Sequence, residues 1–513
     1  MISLGGQPLN LGELASIAAG NRVTLAGHAR GLMEGSRRVV EQATADHRPV
    51  YGVNTGFGKL CDVKISDADI DRLQLNLVRS HACGIGQPLS QSETRVMVAL
   101  RANTLALGYS GVRPAVADAL CEMINRGVCP VIPEKGSVGA SGDLAPLAHL
   151  ALCAIGEGEA FYEDRRMESR EALRLAGLTP LRLQAKEGLA LLNGTQALTA
   201  VGALALWRAC RVAGIADLGG ALSLQALLGT PVAFDQRIHA ARAHAGQAAV
   251  AARLRELLAD SDVSPARRTS PARVQDAYSL RCMPQVHGSV RGALAFARST
   301  VEIETGSATD NPLVFPETGD VLSGGNFHGA PLSLAFDTAS IAMVTLGSIA
   351  ERRIDRLVNP DLNQGLPAFL AAHPGVGSGF MIAHVAAVSL LSESKVLAHP
   401  ASVDNLPTSG GQEDHVSMGM TAALKLRQIV ENGEAIAAIE LLAASQAIHF
   451  REPFEPGREL RGVLQAVRAI APPVEEDRPL SRDIESVAAA IRGGRFDQWA
   501  MPVSMPAPSG VLR

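Results

Sequence analysis

The hydrophobic positions of the chain follow two patterns, which change near residue 190. In the first part, apolar residues recur at helical spacing over short stretches only, which predicts helices over 30–45, 66–80 and 90–107. In the second part, long Ala-rich apolar segments predict helices over 193–229, 330–357, 376–398 and 417–449, then shorter ones over 458–470 and 480–492. We therefore predict a mainly α fold, with an N-terminal region, residues 1–190, and a long-helix bundle with a C-terminal helical layer, residues 191–513.

Polar loops rich in Gly, Asn and Pro separate the predicted long helices. They cover 270–290, 305–331 and 400–416, and within 48–58 an extended segment runs into a further Gly-rich loop. Loops that a rigid scaffold holds in place are where binding and catalytic residues concentrate. We therefore expect the chemistry of this protein in these loops.

Composition narrows the class of protein. Of the 513 residues, 47% are hydrophobic and only 4% aromatic, which favours a large aliphatic core of packed helices. The net charge of −4 and the lack of a basic stripe argue against a nucleic-acid partner. Seven dispersed cysteines without a CxxC pair favour reduced thiols and a cytoplasmic location, and the N-terminal stretch shows no secretory pattern.

One uncharged stretch, residues 188–207, is long enough to span a bilayer. It also contains three glycines and the polar residues Asn193, Thr195, Gln196 and Thr199, and no second segment accompanies it. We therefore predict a buried helix of the bundle here, and no membrane partner.

Common site motifs do not fit the chain. The stretch GVNTGFGK, 52–59, lacks the Gly–Lys spacing of a phosphate-binding loop, and GASGD has Asp143 where a nucleophile elbow needs a second glycine. His239 and His244 do not fall on one helical face, and the sequence contains no HExxH. No metal site is predicted.

The stretch GSVGASGDLAP, 136–146, is dense in small residues and precedes a predicted helix. One interpretation is a turn in which Ser141 or Asp143 caps that helix. In the other, the backbone itself reacts: the amide nitrogen of Gly142 attacks the carbonyl carbon of Ala140, and loss of water with dehydration of Ser141 gives an electrophilic 4-methylidene-imidazol-5-one ring. The residue spacing alone does not decide between the two.

The same stretch resembles the ring-forming segment of the aromatic amino acid ammonia-lyases, above all that of the histidine-specific members. Eight further segments resemble this family in order along nearly the whole chain: YGVNTGFG (51–58), NLVRSHACGIG (76–86), KEGLALLNGTQ (186–196), QDAYSLRCMPQV (275–286), TDNPLVF (309–315), SGGNFH (323–328), ASVDNLPTSGGQEDHVSMG (401–419) and SRDIESVAAAIRGG (481–494). Because eight motifs do not recur in order by chance, the resemblance favours the reactive backbone.

The resemblance implies a long-helix bundle of the fumarase/aspartase-like superfamily, with the ring-forming loop in its N-terminal region. It implies a carbon–nitrogen lyase whose electrophile forms autocatalytically from Ala140, Ser141 and Gly142, without an external cofactor. It also implies a homotetramer in which each active site draws on three subunits.

The family resemblance also assigns catalytic roles. Tyr51 takes the β-proton of the substrate, Asn193 polarises the carbonyl of the ring, and Tyr278 lies near the ring and the substrate. For Tyr51 the alternative is a buried tyrosine with one hydrogen bond. Asn193 lies in an otherwise apolar stretch, so it is the buried polar group most in need of a partner.

Three further residues have binding roles in the resemblance. Arg281 fixes the substrate carboxylate through paired hydrogen bonds, with Gln275 nearby, because a planar guanidinium suits a carboxylate better than an ammonium does. Phe327 packs on the ring. The alternatives are a surface ion pair for Arg281 and an ordinary core position for Phe327.

Substrate choice depends on Ser80, His81 and Glu413. A pocket that buries an imidazole must satisfy two polar nitrogens, which His81 and the Glu413 carboxylate can do, and a phenyl ring would leave both groups unpaired. The tyrosine and phenylalanine lyases generally have His-Leu or Phe-Leu at positions 80–81 and no acid at 413. The alternative for Glu413 is a carboxylate at the start of a helix.

We therefore expect deamination of L-histidine to trans-urocanate and ammonia, the first step of histidine breakdown. The chain departs from the family at Gly411, Ala277, Met283 and His287, none of which is a predicted catalytic group. Rival interpretations are a tyrosine or phenylalanine ammonia-lyase or aminomutase with the same ring, a fumarase-type lyase with a serine base, and a non-catalytic helical assembly protein.

Overall fold

The computed structural model describes residues 1–46, 50–56, 63–139, 142–262 and 274–503. Helices dominate this part of the chain. In chain order they are α1 (Leu11–Ala18), α2 (Gly27–Ala45), α3 (Ile70–His81), α4 (Gln91–Ala106), α5 (Pro114–Asn125), α6 (Leu144–Ala154), α7 (Ser169–Leu175), α8 (Glu187–Leu192), α9 (Gln196–Ala226), α10 (Gln236–Ala240), α11 (Ala245–Leu257), α12 (Tyr278–Arg281), α13 (Met283–Thr305), α14 (Ala330–Val358), α15 (Met381–Leu397), α16 (Gly419–His449), α17 (Arg458–Arg468) and α18 (Ser481–Arg492).

The strands are short and form small sheets. They are β1 (Ile2–Leu4), β2 (Val23–Leu25), β3 (Ile85–Pro88), β4 (Cys129–Pro130), β5 (Pro133–Lys135), β6 (Glu159–Tyr162), β7 (Arg165–Glu168), β8 (Leu313–Phe315) and β9 (Asp320–Leu322). Strands β1 and β2 pair in parallel, whereas β3 with β5, β4 with β6, β6 with β7, and β8 with β9 pair antiparallel. The predicted mainly α fold is confirmed.

The chain forms two compact units, each assembled from three segments. Unit 1 comprises Met1–Leu204, Arg298–Asp337 and Pro400–Leu424, and unit 2 comprises Ala205–Ala297, Thr338–His399 and Lys425–Arg513. The boundaries between the segments fall inside the long helices α9, α13, α14 and α16, and at 399/400. The predicted division near residue 190 stays a prediction.

Several helix predictions match the structure closely, and three local predictions are wrong. Residues 51–54 form a turn rather than an extended segment, because the Asn54 side chain accepts a hydrogen bond from Val50 N at 2.8 Å. The predicted loop over 270–290 is too long, since α13 already begins at Met283. The stretch 188–207 is buried but is not one helix: α8 ends at Leu192 and α9 begins at Gln196.

Among the described residues, two helices are long and apolar enough to cross a membrane, Gln196–Ala226 and Ala330–Val358, so the expectation that no second such segment exists is wrong. Their most apolar windows are 72% and 67% buried inside the protein. This burial is typical of core helices that pack against other helices, which agrees with the predicted bundle.

In unit 1, an aliphatic cluster holds the turn at 50–54 in place. Val53 is fully buried and packs with residues of α2, α3, β8 and the segment before α8; these are Val40, Ile70, Val314 and Ala185. Helix α4 is buried on all sides from Val96 to Ala106, charged and polar side chains included. These contacts fix the elements that carry the site described below.

In unit 2, a buried polar network joins four helices. His287 of α13 lies with its Nδ1 2.7 Å from Asp217 Oδ1 of α9 and its Nε2 3.3 Å from Arg353 Nη1 of α14. Asp217 also accepts a hydrogen bond from Arg291, and Arg353 forms a buried ion pair with Glu440 of α16. Because a carboxylate accepts and a guanidinium donates, Nδ1 of His287 carries the hydrogen and Nε2 accepts, so the ring is neutral.

This network makes the stability of the protein depend on pH. Burial lowers the pKa of His287, with Arg353 acting in the same direction and Asp217 opposing. At this histidine, the unfolded chain therefore binds a proton more readily than the folded protein does, with the ordinary histidine pKa of about 6.5. As the pH drops through that value, the free energy of unfolding falls. We expect His287→Asn to flatten this slope in thermal unfolding between about pH 8 and 5.

The matched control is His399→Asn, which changes an exposed histidine of the same unit. It should leave the slope as it is in the unchanged protein. The same slope in His287→Asn and in the control would contradict the assignment.

Candidate active site

The turn between α8 and α9 carries the most conspicuous buried polar group among the predicted site residues. Asn193 is buried, and its Nδ2 donates to Asn311 O at 2.9 Å. Among the described residues, its Oδ1 has no hydrogen-bond partner. Because an unpaired buried amide oxygen costs about 1–3 kcal/mol, this position is suited to a ligand or reacting group rather than to stability.

The next residue, Gly194, touches the backbone of Gly142 directly. Asp143 N donates to Gly194 O at 2.7 Å, and Gly142 and Gly194 form a parallel bridge. A Cβ placed on Gly142, which has a φ of +76°, would lie 2.2 Å from Gly194 O. Only glycine fits at Gly142, because both the backbone conformation and the contact exclude a side chain. Ala140 and Ser141 lie outside the described residues.

Asp143 does not cap the helix that it precedes. Helix α6 has no side-chain cap, and the buried Asp143 carboxylate instead accepts hydrogen bonds from Leu198 N, in the first turn of α9, and from Ser137 Oγ, each at 2.8 Å. Burial raises the pKa of Asp143 to about 6 against these hydrogen bonds, and Glu304 adds to the rise. The interpretation in which Asp143 caps its own helix is therefore wrong, since its carboxylate bonds the first turn of α9 instead, and the same interpretation for Ser141 lies outside the described residues.

The segment before Gly142 is tied to the polypeptide that follows the 400–416 loop. Met418 N donates to Val138 O at 2.9 Å, and Ser417 Oγ donates to Gly139 O at 3.1 Å. Ser417 Oγ also lies 3.0 Å from where a Cβ of Gly329 would be. Phe327, half-buried in a turn two residues before Gly329, is thereby placed in the same neighbourhood.

Tyr51 is half-buried in the turn at 50–54. The neighbouring Gly52 has a φ of +75°, and a Cβ there would lie 2.3 Å from Leu189 Cδ2 of α8 and 3.4 Å from Pro312 Cδ. The turn that carries Tyr51 therefore packs against the helix that ends just before Asn193.

His81 is the last residue of α3. Its Nδ1 lies 2.8 Å from Leu77 O and therefore carries the hydrogen, which leaves Nε2 as an acceptor. Helix α3 is docked on α8, because Gln74 Oε1 accepts a hydrogen bond from Gly188 N at 2.9 Å. His81 thus ends a helix that is fixed to α8, the helix directly before Asn193.

Glu413 lies in the loop before α16. Its Oε2 accepts hydrogen bonds from Thr408 Oγ1 and Ser409 Oγ, each at 2.7 Å. Since α16 begins only at Gly419, the alternative of a carboxylate at a helix start is wrong. Its predicted role toward a substrate stays a prediction.

Gln275, Tyr278 and Arg281 lie together in unit 2. Arg281 Nη1 donates to Gln275 Oε1, and the guanidinium carbon of Arg281 lies 4.8 Å from the centre of the Tyr278 ring. Tyr278 is 71% exposed. Arg281 forms no ion pair with any residue that the structure describes, so its donors are not committed to a carboxylate.

Two buried features near Asn193 were missed at the level of sequence. Lys186 Nζ lies 3.0 Å from Asp310 Oδ2, and both side chains are fully buried. Burial lowers the pKa of Lys186, and Asp310 opposes this effect. The second feature is Arg101, whose Nη1 donates to Asn193 O. The sequence does contain a signal for Arg101, because a charged residue inside an apolar run, here VMVALRANTLAL over 96–107, indicates a buried charge.

These contacts fit a prosthetic group made by the chain at Gly142. The backbone of Gly142 is packed against Gly194 without room for a side chain, and Gly194 directly follows Asn193, whose Oδ1 has no hydrogen-bond partner in the described part of the chain. A long-helix bundle with such a loop defines a class of lyases, and the chain belongs to the aromatic amino acid lyase family, whose model matches residues 9–469.

Particular relatives narrow the class further. A histidine ammonia-lyase of Koribacter versatilis is 54% identical over 508 residues, which cover 96% of this chain and 98% of that protein. The histidine ammonia-lyase of Myxococcus xanthus is 52% identical over 496 residues, with coverages of 96% and 97%.

Solved structures confirm the fold. The histidine ammonia-lyase of Trypanosoma cruzi has a TM-score of 0.91 at 40% identity and covers 100% of this chain and 99% of its own. The tyrosine aminomutase of Streptomyces globisporus has a TM-score of 0.93 at 37% identity, with coverages of 97% and 98%. The predicted long-helix bundle of the fumarase/aspartase-like superfamily is confirmed, and the chain is a carbon–nitrogen lyase by family.

The glycine contact at the centre of the site can be tested by substitution. We expect Gly142→Ala to lower the free energy of unfolding by more than about 2 kcal/mol, because the added Cβ meets Gly194 O at 2.2 Å and the φ of +76° is unfavourable for alanine. Thermal and urea unfolding measure the loss.

Gly177→Ala is the matched control. Gly177 has a similar φ of +70° but nothing within 4 Å of its added Cβ, so its loss should be limited to about 1 kcal/mol of backbone strain. Equal losses for both variants would show that the contact with Gly194 is not tight.

Proposed function

We propose that this chain is a histidine ammonia-lyase that converts L-histidine to trans-urocanate and ammonia without oxidation. The observation that carries the proposal is 54% identity to a protein of that name over nearly the full length of both chains. The buried Asn193–Gly194 turn, held against Gly142, supports it as a place for an electrophile.

The electrophile is a 4-methylidene-imidazol-5-one formed from Ala140, Ser141 and Gly142. A bond forms between Gly142 N and the carbonyl carbon of Ala140, and the amide proton of Gly142 moves to the carbonyl oxygen. The resulting hydroxyl leaves with the amide proton of Ser141 as one water, and the Ser141 hydroxyl leaves with its α-proton as a second. The bound ring supplies an electron-poor centre for the substrate to attack, so no external cofactor is needed.

The chain's own residues then bind the substrate and move its proton. Tyr51, on the turn packed against α8, takes the β-proton, and Asn193 would polarise the carbonyl of the ring with the Nδ2 hydrogen that Asn311 O does not accept. In unit 2, Arg281 holds the substrate carboxylate, Gln275 orients Arg281, and Tyr278 faces the reacting atoms. Phe327 packs on the ring.

Recognition of imidazole follows from fixed hydrogen-bond roles. Because Leu77 O holds Nδ1 of His81, only Nε2 remains to accept the N–H of a substrate imidazole. The Glu413 carboxylate, oriented by Thr408 and Ser409, is a second acceptor, so the two groups together suit a protonated imidazole that donates from both nitrogens. A phenyl ring offers neither group a partner, so the site discriminates against it.

A cytoplasmic homotetramer with shared active sites is part of the proposal. Tyr278 is 71% exposed in the single chain, whereas proton chemistry is favoured by exclusion of water. Unit 2 also exposes large apolar side chains on its long helices, which is typical of surfaces that another subunit covers. These are Phe296, Ile341, Ile382, Val385, Val388 and Val396.

The activity is tested with a panel of L-histidine, L-tyrosine and L-phenylalanine, followed by near-ultraviolet absorbance. We expect the highest kcat/KM for L-histidine, by at least about a hundredfold, because a site built for polar groups rejects analogues without them. Product analysis by mass distinguishes loss of ammonia from an isomerised amino acid. Faster turnover of either aromatic amino acid, or a β-amino acid product, would make the lyase or aminomutase alternative correct.

Substrate selection is tested at His81 and Glu413. We expect His81→Leu and Glu413→Gln each to lower kcat/KM for L-histidine by about tenfold or more, because each removes one partner of the imidazole. The control is Glu122→Gln on α5, a similar change at a residue that pairs with Arg126 on the surface. Unchanged selectivity in both site variants would reject the proposed recognition.

A further inference from the structure

Arg101 is a fully buried arginine in the middle of α4. Burial lowers the pKa of its guanidinium to about 10, which leaves the group charged at neutral pH. It forms no ion pair with a described residue, since Asp310, the carboxylate that stabilises its charge, is bonded to Lys186. A buried cation without a direct counter-ion is expensive, so its presence calls for a reason beyond stability.

The guanidinium bonds both ends of the turn between α8 and α9. Arg101 Nη1 donates to Asn193 O at 2.8 Å and to Gln196 Oε1 at 2.8 Å. Gln196 is in turn fixed by its Nε2, which donates to Thr104 Oγ1 at 3.1 Å and to Thr309 Oγ1 at 2.7 Å. The turn is therefore held by hydrogen bonds to α4 as well as by its chain connections to α8 and α9.

Behind Arg101, the contacts continue without a gap to Gly142. A Cβ on Gly194 would lie 2.5 Å from Arg101 Nη1 and 2.6 Å from Thr309 O. On its other side, the carbonyl of Gly194 accepts from Asp143 N at 2.7 Å and would lie 2.2 Å from a Cβ of Gly142. The Gly194 backbone is thus packed between two groups, with the Arg101 guanidinium on one side and the Gly142 backbone on the other.

We propose that Arg101 is a positioning residue for ring closure: it presses the Asn193–Gly194 turn against Gly142 and so holds the Gly142 amide where it attacks the chain. The inference rests on the proposed function, because it concerns the formation of the same electrophile. The covalent step is the one written above, with two waters lost and no further reactant. Arg101 itself exchanges no proton in this step, because its role is to hold the turn.

The role requires a buried planar donor of fixed reach. Glutamine at this position removes the charge and shortens the side chain, and lysine keeps the charge but presents a single point instead of a guanidinium plane. Two donors of Arg101, Nε and Nη2, have no partner among the described residues. Among the described residues, the guanidinium therefore forms its hydrogen bonds through Nη1 alone, and both of these bonds hold the turn.

The test measures the intact mass of purified, folded protein for the unchanged chain, Arg101→Gln and Arg101→Lys, together with kcat and KM for L-histidine. We expect the unchanged chain to be lighter than the encoded sequence by two waters. In Arg101→Gln the linear mass becomes the major species, and in Arg101→Lys the two masses coexist. Because only cyclised molecules turn over, kcat falls with the linear fraction while KM stays the same.

Arg291→Gln is the control, since Arg291 is a buried arginine of unit 2 bonded to Asp217. It should be less stable but fully cyclised, which separates a positioning role from general destabilisation. If folded Arg101→Lys and Arg101→Gln are both fully cyclised, the proposal is wrong, and if Arg101→Gln does not fold, Arg101→Lys alone decides. A linear mass in the unchanged chain would instead refute the proposed function itself.

Discussion

The contact between two glycine backbones, Gly142 and Gly194, is the constraint on which the rest of the site depends. It leaves no room for a side chain at Gly142, and it joins the start of α6 to the turn before α9 through the bond from Asp143 N to Gly194 O. The Asp143 carboxylate then reaches Leu198 N in α9. A displacement of any one of these three segments must therefore move the other two.

Buried charged groups lie beside the turn that carries Gly194 and help to hold it. Lys186 and Asp310 neutralise each other, and the adjoining Asn311 holds the Asn193 side chain through its carbonyl. Lys186 itself has a φ of +69°, an unfavourable conformation for a residue with a side chain. Each buried charge and each unfavourable backbone conformation lowers the stability of the protein. A fold retains such features where they keep a local backbone geometry from relaxing.

Periodicity predicted the long helices well because burial decides them. The predicted 330–357 became Ala330–Val358, since an apolar stripe of that length has no other way to be covered. Periodicity failed at 188–207, where Asn193 and Gly194 interrupt an apolar run through contacts with α4 and α6 that are remote in sequence. The order of the motifs supplied the candidate site residues, which stay predictions. Neither the partner of Asp143 nor the bond from Arg101 to Asn193 follows from local sequence, because both are tertiary hydrogen bonds.

The hydrogen-bond roles in unit 1 also explain why a histidine side chain suits the proposed site. A protonated imidazole donates from both ring nitrogens, so its binding site needs two acceptors whose own roles are already fixed. The Leu77 carbonyl fixes His81 as an acceptor at Nε2, and two hydroxyls fix the orientation of the Glu413 carboxylate. Leucine in place of His81 would remove the acceptor but keep a side chain of similar shape. In the proposed function, this substitution would lower the selectivity for imidazole without affecting the chemistry at Gly142.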